Sequence, residues 1–273
     1  MKTEVFKTEE FVKCDKKLPV IVGEDENGKL IIEDLIDINN LMVVGQMGTP
    51  RCPFSHALVC GLSLKCSPED VKMLLIDFMC IELEPYSHLP HTKFKLQNIE
   101  VDGAITGDYD KCLYALDRLS KECVYRYHKI KEHGTQNIEE YNKKAEDKIP
   151  YIVCVVEYPN RIHKKDISVV ENYISQISQF SKDTGVCLVY TLNRITFFDD
   201  KEEQYEVLTK KMIDSLSSKM VFMIEDDKGL LKGYPTETFD WREYWFVKQN
   251  SSPQKIEMPF ISDEEFNEIA RKI

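Results

Sequence analysis

One stretch narrows the folds open to this chain more than any other: Leu41-Met-Val-Val-Gly45-Gln-Met-Gly48-Thr49-Pro50-Arg51-Cys52-Pro53. An unbroken apolar run reads as a strand buried on both faces. It stops at a glycine-rich turn, and Pro53 then suits the first turn of a helix. Strand, glycine turn and helix in that order belong to α/β architectures, whose mainly parallel sheet is flanked by helices on both faces.

The rest of the chain repeats this grammar. Leu18-Pro-Val-Ile-Val22 and Leu30-Ile-Ile32 read as strands either side of an Asn27-Gly28 turn. Phe54 to Leu64 has helical spacing, and Ser67-Pro-Glu-Asp70 is a capped turn before the strand Val71 to Asp77. Asp108 to Lys131 is the longest helix, with Leu113, Leu116, Leu119, Cys123, Tyr127 and Ile130 as its inner stripe. Tyr151 to Val156, Val186 to Thr191 and Met220 to Ile224 are further buried strands. Ser168 with Glu171 predicts a capping box on a helix that buries Val170, Ile174, Ile177 and Phe180 and ends at Gly185. Ser262 with Glu265 predicts another, before a terminal helix with Phe266, Ile269 and Ile273 on one side. Residues 1–17 read as a charged lead-in, and residues 18–273 as one domain carrying an aromatic segment at about 229–255.

The turn itself invites a chemical reading. A phosphate-cradling P-loop needs Gly, four residues, then Gly-Lys-Ser/Thr, so that backbone N–H groups and the helix N-terminus face the anion. Gly45 opens that frame, followed by Gln46, Met47, Gly48 and Thr49, but the last three places hold Pro50, Arg51 and Cys52. Pro50 has no N–H, Arg51 is a planar fork where a compact ammonium is wanted, and Cys52 offers sulfur where Mg²⁺ prefers a hydroxyl. Gly45 and Gly48 also suit a plain strand-to-helix turn.

Composition removes several classes. A net charge of −11 argues against a broad electrostatic hold on nucleic acid. The 9 cysteines form no C-x-x-C and sit largely in apolar runs, the pattern of reduced core thiols rather than zinc or disulfides. The start lacks a secretory leader and no apolar run reaches the about 18 residues of a membrane helix, which together point to the cytoplasm. His88 and His91 near Glu82 and Glu84 lack a metal-binding frame and read as loop residues, so no metal is expected. Arg126-Tyr-His-Lys-Ile-Lys131 and Arg161-Ile-His-Lys-Lys165 read as solvated basic faces, with contact to a phosphate backbone as the alternative.

Taken in order, these phrases resemble the motor domain of the FtsK/SpoIIIE DNA translocases, a RecA-like P-loop ATPase group. The resemblance rests on Leu18-Pro-Val-Ile-Val-Gly23, the loop at Gly45, Ser67-Pro-Glu-Asp-Val71 running to Leu74-Leu-Ile-Asp77, and Ile81-Glu-Leu83 with Leu89-Pro-His91. Asn137-Ile-Glu-Glu-Tyr-Asn142, Ile149-Pro-Tyr-Ile-Val153, Gly185-Val-Cys-Leu-Val189, Asn193-Arg194 and Phe260-Ile-Ser-Asp-Glu-Glu265 extend it. It implies a RecA-like P-loop fold and descent from ring-forming ATPases that move double-stranded DNA, with relatives in conjugation and type VII secretion.

Carried over by position, the resemblance makes Glu157-Tyr158 the counterpart of the Walker B acids and Leu192-Asn193-Arg194-Ile195 that of the sensor-like Thr-Gln-Arg-Pro. Tyr158 is a poor base at neutral pH, because a phenol ionises only near pH ~10. Asp77-Phe78-Met79 stands where the family has Asp-Pro-Lys. The expectation is therefore a non-hydrolysing pseudo-ATPase acting as scaffold or partner subunit, with a protein partner or homo-oligomer, a ring included. The alternative is a divergent but active translocase using Arg51 and Glu157 with ATP and Mg²⁺. Phe239, Trp241, Tyr244, Trp245 and Phe246 read as a packed hairpin or, alternatively, a docking patch.

Overall fold

In the computed structural model the described residues are all but 1–2, 158, 194–195, 199–203, 225–229, 232, 237–238, 260–265, 267–268, 270 and 272–273. The expectations for Tyr158, Arg194, the Ser262–Glu265 capping box and Ile273 lie outside them.

Near the start come the short helix α1 (Glu9–Val12), β1 (Pro19–Glu24), β2 (Leu30–Asp34) and the turn of helix α2 (Leu35–Ile38). β3 (Leu41–Val44) then leads through the glycine turn into α3 (Arg51–Lys65). β4 (Val71–Asp77) follows, then the hairpin of β5 (Lys93–Leu96) and β6 (Ile99–Asp102), and the short β7 (Ile105–Thr106). After α4 (Tyr109–Glu132) and α5 (Ile138–Lys144), β8 (Tyr151–Glu157), α6 (Ile167–Thr184) and β9 (Val186–Leu192) complete the centre. A small pair, β10 (Thr196–Phe198) and β11 (Gln204–Glu206), precedes α7 (Lys210–Ser215), β12 (Ser218–Phe222), β13 (Glu243–Val247) and β14 (Gln254–Glu257).

Ten of these strands form one sheet in the order β2-β1-β14-β13-β12-β3-β9-β8-β4-β7. From β12 to β7 every pairing is parallel, and the β2-β1-β14-β13 flank is antiparallel. Alternation along a strand sends successive side chains to opposite faces, and here both faces are dry. Leu41 and Val43 enter one core with Val153 and Val155, while Met42 and Val44 enter the other with Ile152, Cys154 and Val156. α3 covers the first face through Phe54, Leu58 and Leu62. α4 and α6 cover the second through Cys112, Leu116, Leu119, Val170, Ile174 and Ile177. This is the α/β arrangement that unbroken apolar strands require.

Several local expectations change in three dimensions. The lead-in is charged, yet Val5, Phe6 and Phe11 are buried in the first core, where Phe6 and Phe11 pack over Gly61 of α3. No capping box forms at Ser168, because α6 starts at Ile167 after an Asp166 cap and places Ser168 inside the first turn. Glu171 instead accepts the Thr209 hydroxyl at 2.6 Å. Phe180 and Tyr127 are only half-buried and stack on each other at 4.8 Å. Arg126 belongs to no solvated face: it is 4% exposed and ties Glu122 to the carbonyls of Pro150 and Thr184. Gly185 ends α6 with φ 69, where a Cβ would meet Ile138 Cδ1 at 2.6 Å.

Most of the aromatic segment packs on the domain. Tyr244 and Phe246 are buried, and the Tyr244 hydroxyl donates to the Val22 carbonyl. Trp245 on the opposite face packs against Tyr234 and Phe239 and donates its Nε1–H to the Pro235 carbonyl at 3.1 Å. The packed-hairpin reading describes Phe239, Tyr244, Trp245 and Phe246, whereas Trp241 is 42% exposed with Arg242 over its ring.

Candidate functional site: the glycine turn and the end of strand β8

Parallel α/β sheets place their sites at the carboxyl ends of the strands, where β3, β4, β8 and β9 here converge. The turn after β3 is held from within. Gly45 N–H donates to the Leu192 carbonyl (3.1 Å) and Gln46 N–H to that of Met223 (2.9 Å). Thr49 closes the turn on the Gln46 carbonyl through both its N–H (3.2 Å) and its hydroxyl (2.8 Å). Gly45 has no room for a side chain, since a Cβ would lie 2.6 Å from Phe222 Cβ and 2.6 Å from Thr49 Oγ1. Gly48 adopts φ 91, and Met47 projects outward at 78% exposure. Between Thr49 and Pro53, two residues are prolines without an N–H and the N–H of Thr49 is already donated.

Arg51 opens α3 and turns inward. Its Nη1 donates to Glu157 Oε2 at 2.5 Å and to Thr191 Oγ1 at 3.1 Å, and its Nη2 to Cys52 Sγ at 3.0 Å. The Arg51 side chain is 5% exposed and that of Glu157 0%. Ser55, one helical turn beyond Arg51, donates to Glu157 Oε1, and the Thr191 hydroxyl lies 2.5 Å from Oε2. Both carboxylate oxygens are thus engaged by the protein itself. Sequence reading placed Arg51 and Glu157 at the right ends of α3 and β8 but did not join them, and it missed Ser55 and Thr191. The Arg51–Ser55 spacing is the signal that could have flagged the latter pair's helix partner.

Cys52 lies beside this network. Burial pushes its thiol well above the ordinary range, opposed by Arg51 and reinforced by Glu157 and Glu82. A sulfur held protonated is a poor ligand for any metal. His56, a turn further on, meets Glu82 through Nε2 (3.0 Å) and the Tyr86 hydroxyl through Nδ1 (2.8 Å), with Phe266 stacked at 5.1 Å.

Asp77 ends β4 with no exposure and organises the neighbouring loop. Its Oδ1 accepts the N–H groups of Met79 (2.9 Å) and Cys80 (3.1 Å). Its Oδ2 accepts those of Ile81 (2.9 Å), Glu82 (2.7 Å) and Leu83 (3.2 Å). Five backbone donors on one carboxylate fix the loop that carries Glu82 toward α3. Asn193 follows β9, and its Oδ1 is buried with no partner among the described residues. His91 is buried away from the turn and meets the Cys66 carbonyl, while His88 meets that of Pro85.

Comparison with known proteins places this fold. The DNA translocase FtsK of Clostridium tetani is 26% identical over 276 residues, covering 97% of this chain and 35% of that protein. The DNA translocase FtsK of Clostridium acetobutylicum is 25% identical, with 98% and 34% covered. This chain therefore spans about a third of the length of those relatives. Among solved structures, the cytoplasmic domain of the Thermomonospora curvata type VII secretion ATPase EccC superposes with a TM-score of 0.69 at 16% identity, covering 95% of this chain and 31% of that one. The monomer form of the pCW3 conjugation coupling protein TcpA with ATPγS also gives 0.69, at 18% identity and 97% and 73% coverage. The fold is thus that of RecA-like P-loop ATPases. No helix among the described residues is long and apolar enough to cross a membrane. With residues 3–213 matching the family's sequence model, the chain belongs to the FtsK/SpoIIIE family.

Proposed function

We propose that this chain is a non-hydrolysing member of its family, a pseudo-ATPase domain serving as scaffold or partner subunit of a DNA-translocation, conjugation or secretion assembly. The carrying observation is the buried Arg51–Glu157 pair, closed by Ser55 and Thr191. A phosphate-bound Mg²⁺ needs an oxygen ligand at the turn and a free carboxylate at the strand end. Here the turn offers a protonated thiol at Cys52, and Glu157 is already neutralised by a guanidinium. The residues present therefore do not fit Mg-ATP.

The partner is a related ATPase subunit or further copies of this chain. The neighbours' roles in secretion and conjugation, together with a net charge of −11, favour protein contacts over a broad grip on DNA. The rival reading, an active translocase, requires nucleotide to pull Arg51 away from Glu157.

Calorimetric titration with Mg-ATP and a phosphate-release assay separate the two. The expected result is no turnover and weak or no binding by the natural chain. Binding at least tenfold tighter is expected in the Pro50→Gly/Arg51→Lys/Cys52→Ser variant. Turnover by the natural chain that disappears in Arg51→Ala overturns the proposal. Light-scattering mass of the chain alone and mixed with related ATPases tests the assembly.

A further inference from the structure

A second site lies at the opposite end of the sheet. A cavity of about 350 Å³ opens where β4 and β8 begin, and it is walled by Lys17, Lys65, Lys143, Lys148, Ile149 and Tyr151. β8 runs from Tyr151 to Glu157, so the cavity and the Arg51–Glu157 pair are roughly 20 Å apart along one strand. The volume is within the range of small-molecule sites, about 300–1,000 Å³.

Its donors exceed their acceptors. Lys65 Nζ donates to the Val12 carbonyl at 2.9 Å, and neither it nor Lys148 meets a carboxylate among the described residues. Lys17 Nζ donates to the Tyr151 hydroxyl at 3.3 Å, and that hydroxyl's own proton finds no acceptor among the described residues. Burial pushes the Tyr151 phenol up to about 12, so it remains a donor at neutral pH. Glu139 is already matched by Lys143 at 2.8 Å and Lys17 at 3.9 Å. Glu69 and Asp70 are exposed at the rim and oppose an anion there. Among the described residues no arginine fork lines the walls, and ammonium point charges suit a phosphate better than a planar carboxylate. Val71 and Ile149, both buried, supply an apolar side.

We propose that this cavity binds a small phosphorylated molecule, its phosphate held by Lys65, Lys148 and the Tyr151 hydroxyl and its apolar body set against Ile149. The site is independent of the Gly45 turn and is tested apart from it.

Phenyl phosphate is titrated calorimetrically into the full chain, with phenol and inorganic phosphate as controls. Saturable binding of phenyl phosphate is expected, tighter than either control. Lys148→Ala weakens it about tenfold, the worth of one charge-assisted hydrogen bond. Tyr151→Phe weakens it several-fold, and Glu69→Gln tightens it by removing a rim charge. Lys121→Ala, an exposed lysine of α4 outside both sites, leaves it unchanged, which separates the cavity from attraction to surface lysines in general. Lys148 and Glu69 are exposed, so neither substitution threatens the fold. No saturation by phenyl phosphate, equal binding of phenol, or indifference to Lys148→Ala overturns the proposal.

Discussion

Replacing Arg51 by Met keeps a long side chain at the head of α3 but withdraws the cation that faces Glu157. With the two side chains 5% and 0% exposed, water cannot take the guanidinium's place. Removing one partner of a buried pair costs about 3–5 kcal/mol, whereas an exposed pair is worth about 0.2–1 kcal/mol. Glu157 keeps the hydroxyls of Ser55 and Thr191, which places Arg51→Met near ~3 kcal/mol, at the low end of that range. For a chain of this size that corresponds to a melting point lower by roughly 6–12 °C. Adding Glu157→Gln removes the stranded charge and should recover most of the loss. Urea unfolding of the natural chain, both single variants and the double gives the coupling energy from a double-mutant cycle. An Arg51→Met variant within about 1 kcal/mol of the natural chain behaves like an exposed pair and refutes the reasoning. So does a double variant that only adds the two single losses.

Three further outcomes follow from the same geometry. Asp77→Ala strips the acceptor from five N–H groups and should cost about 2–4 kcal/mol, read as urea destabilisation and faster amide exchange at residues 79–83. Gly45→Ala drives a methyl against Phe222 and Thr49 and should cost about 1–3 kcal/mol by the same unfolding assay. Burial pushes the folded-state thiols of Cys60, Cys112 and Cys123 to about 12 and that of Cys66 to about 11, against an ordinary value of 9.0. Above pH 9 the unfolded chain sheds thiol protons that the folded chain retains, so stability is intact below pH 9 and falls as pH rises toward 12. Urea midpoints on either side of pH 9 check the sign, and a midpoint that rises with alkalinity contradicts it.

The sheet was legible because apolar runs such as Leu41–Val44 and Met73–Ile76 admit few other readings, and both lie within strands, β3 and β4. Helix ends were legible where one residue type decides them, as at Asp108 and Gly185. The interior of the site was not. Arg51 and Glu157 are 106 residues apart, and whether a guanidinium meets a phosphate or a carboxylate depends on which strand end lies beneath it. Asp77 read as the end of a strand, because nothing local announces that five later N–H groups curl back onto it. The buried Phe6 and Phe11 hid among charges, where too few apolar residues recur to mark a face. Glu171 satisfied a local capping pattern, but Thr209, which is 38 residues away, claimed its carboxylate.

The sheet order carries a consequence for how the molecule is made. β1 and β2 are synthesised before the other strands of this sheet, yet they reach them through β14, the last of its strands in chain order. Until β13 and β14 emerge, the opening hairpin has no sheet neighbour apart from itself, and its apolar residues wait against α3 alone. Assembly of this flank therefore waits until β13 and β14 have been synthesised, and a chain stalled before residue 243 should display that hairpin's edge to chaperones and to other nascent copies.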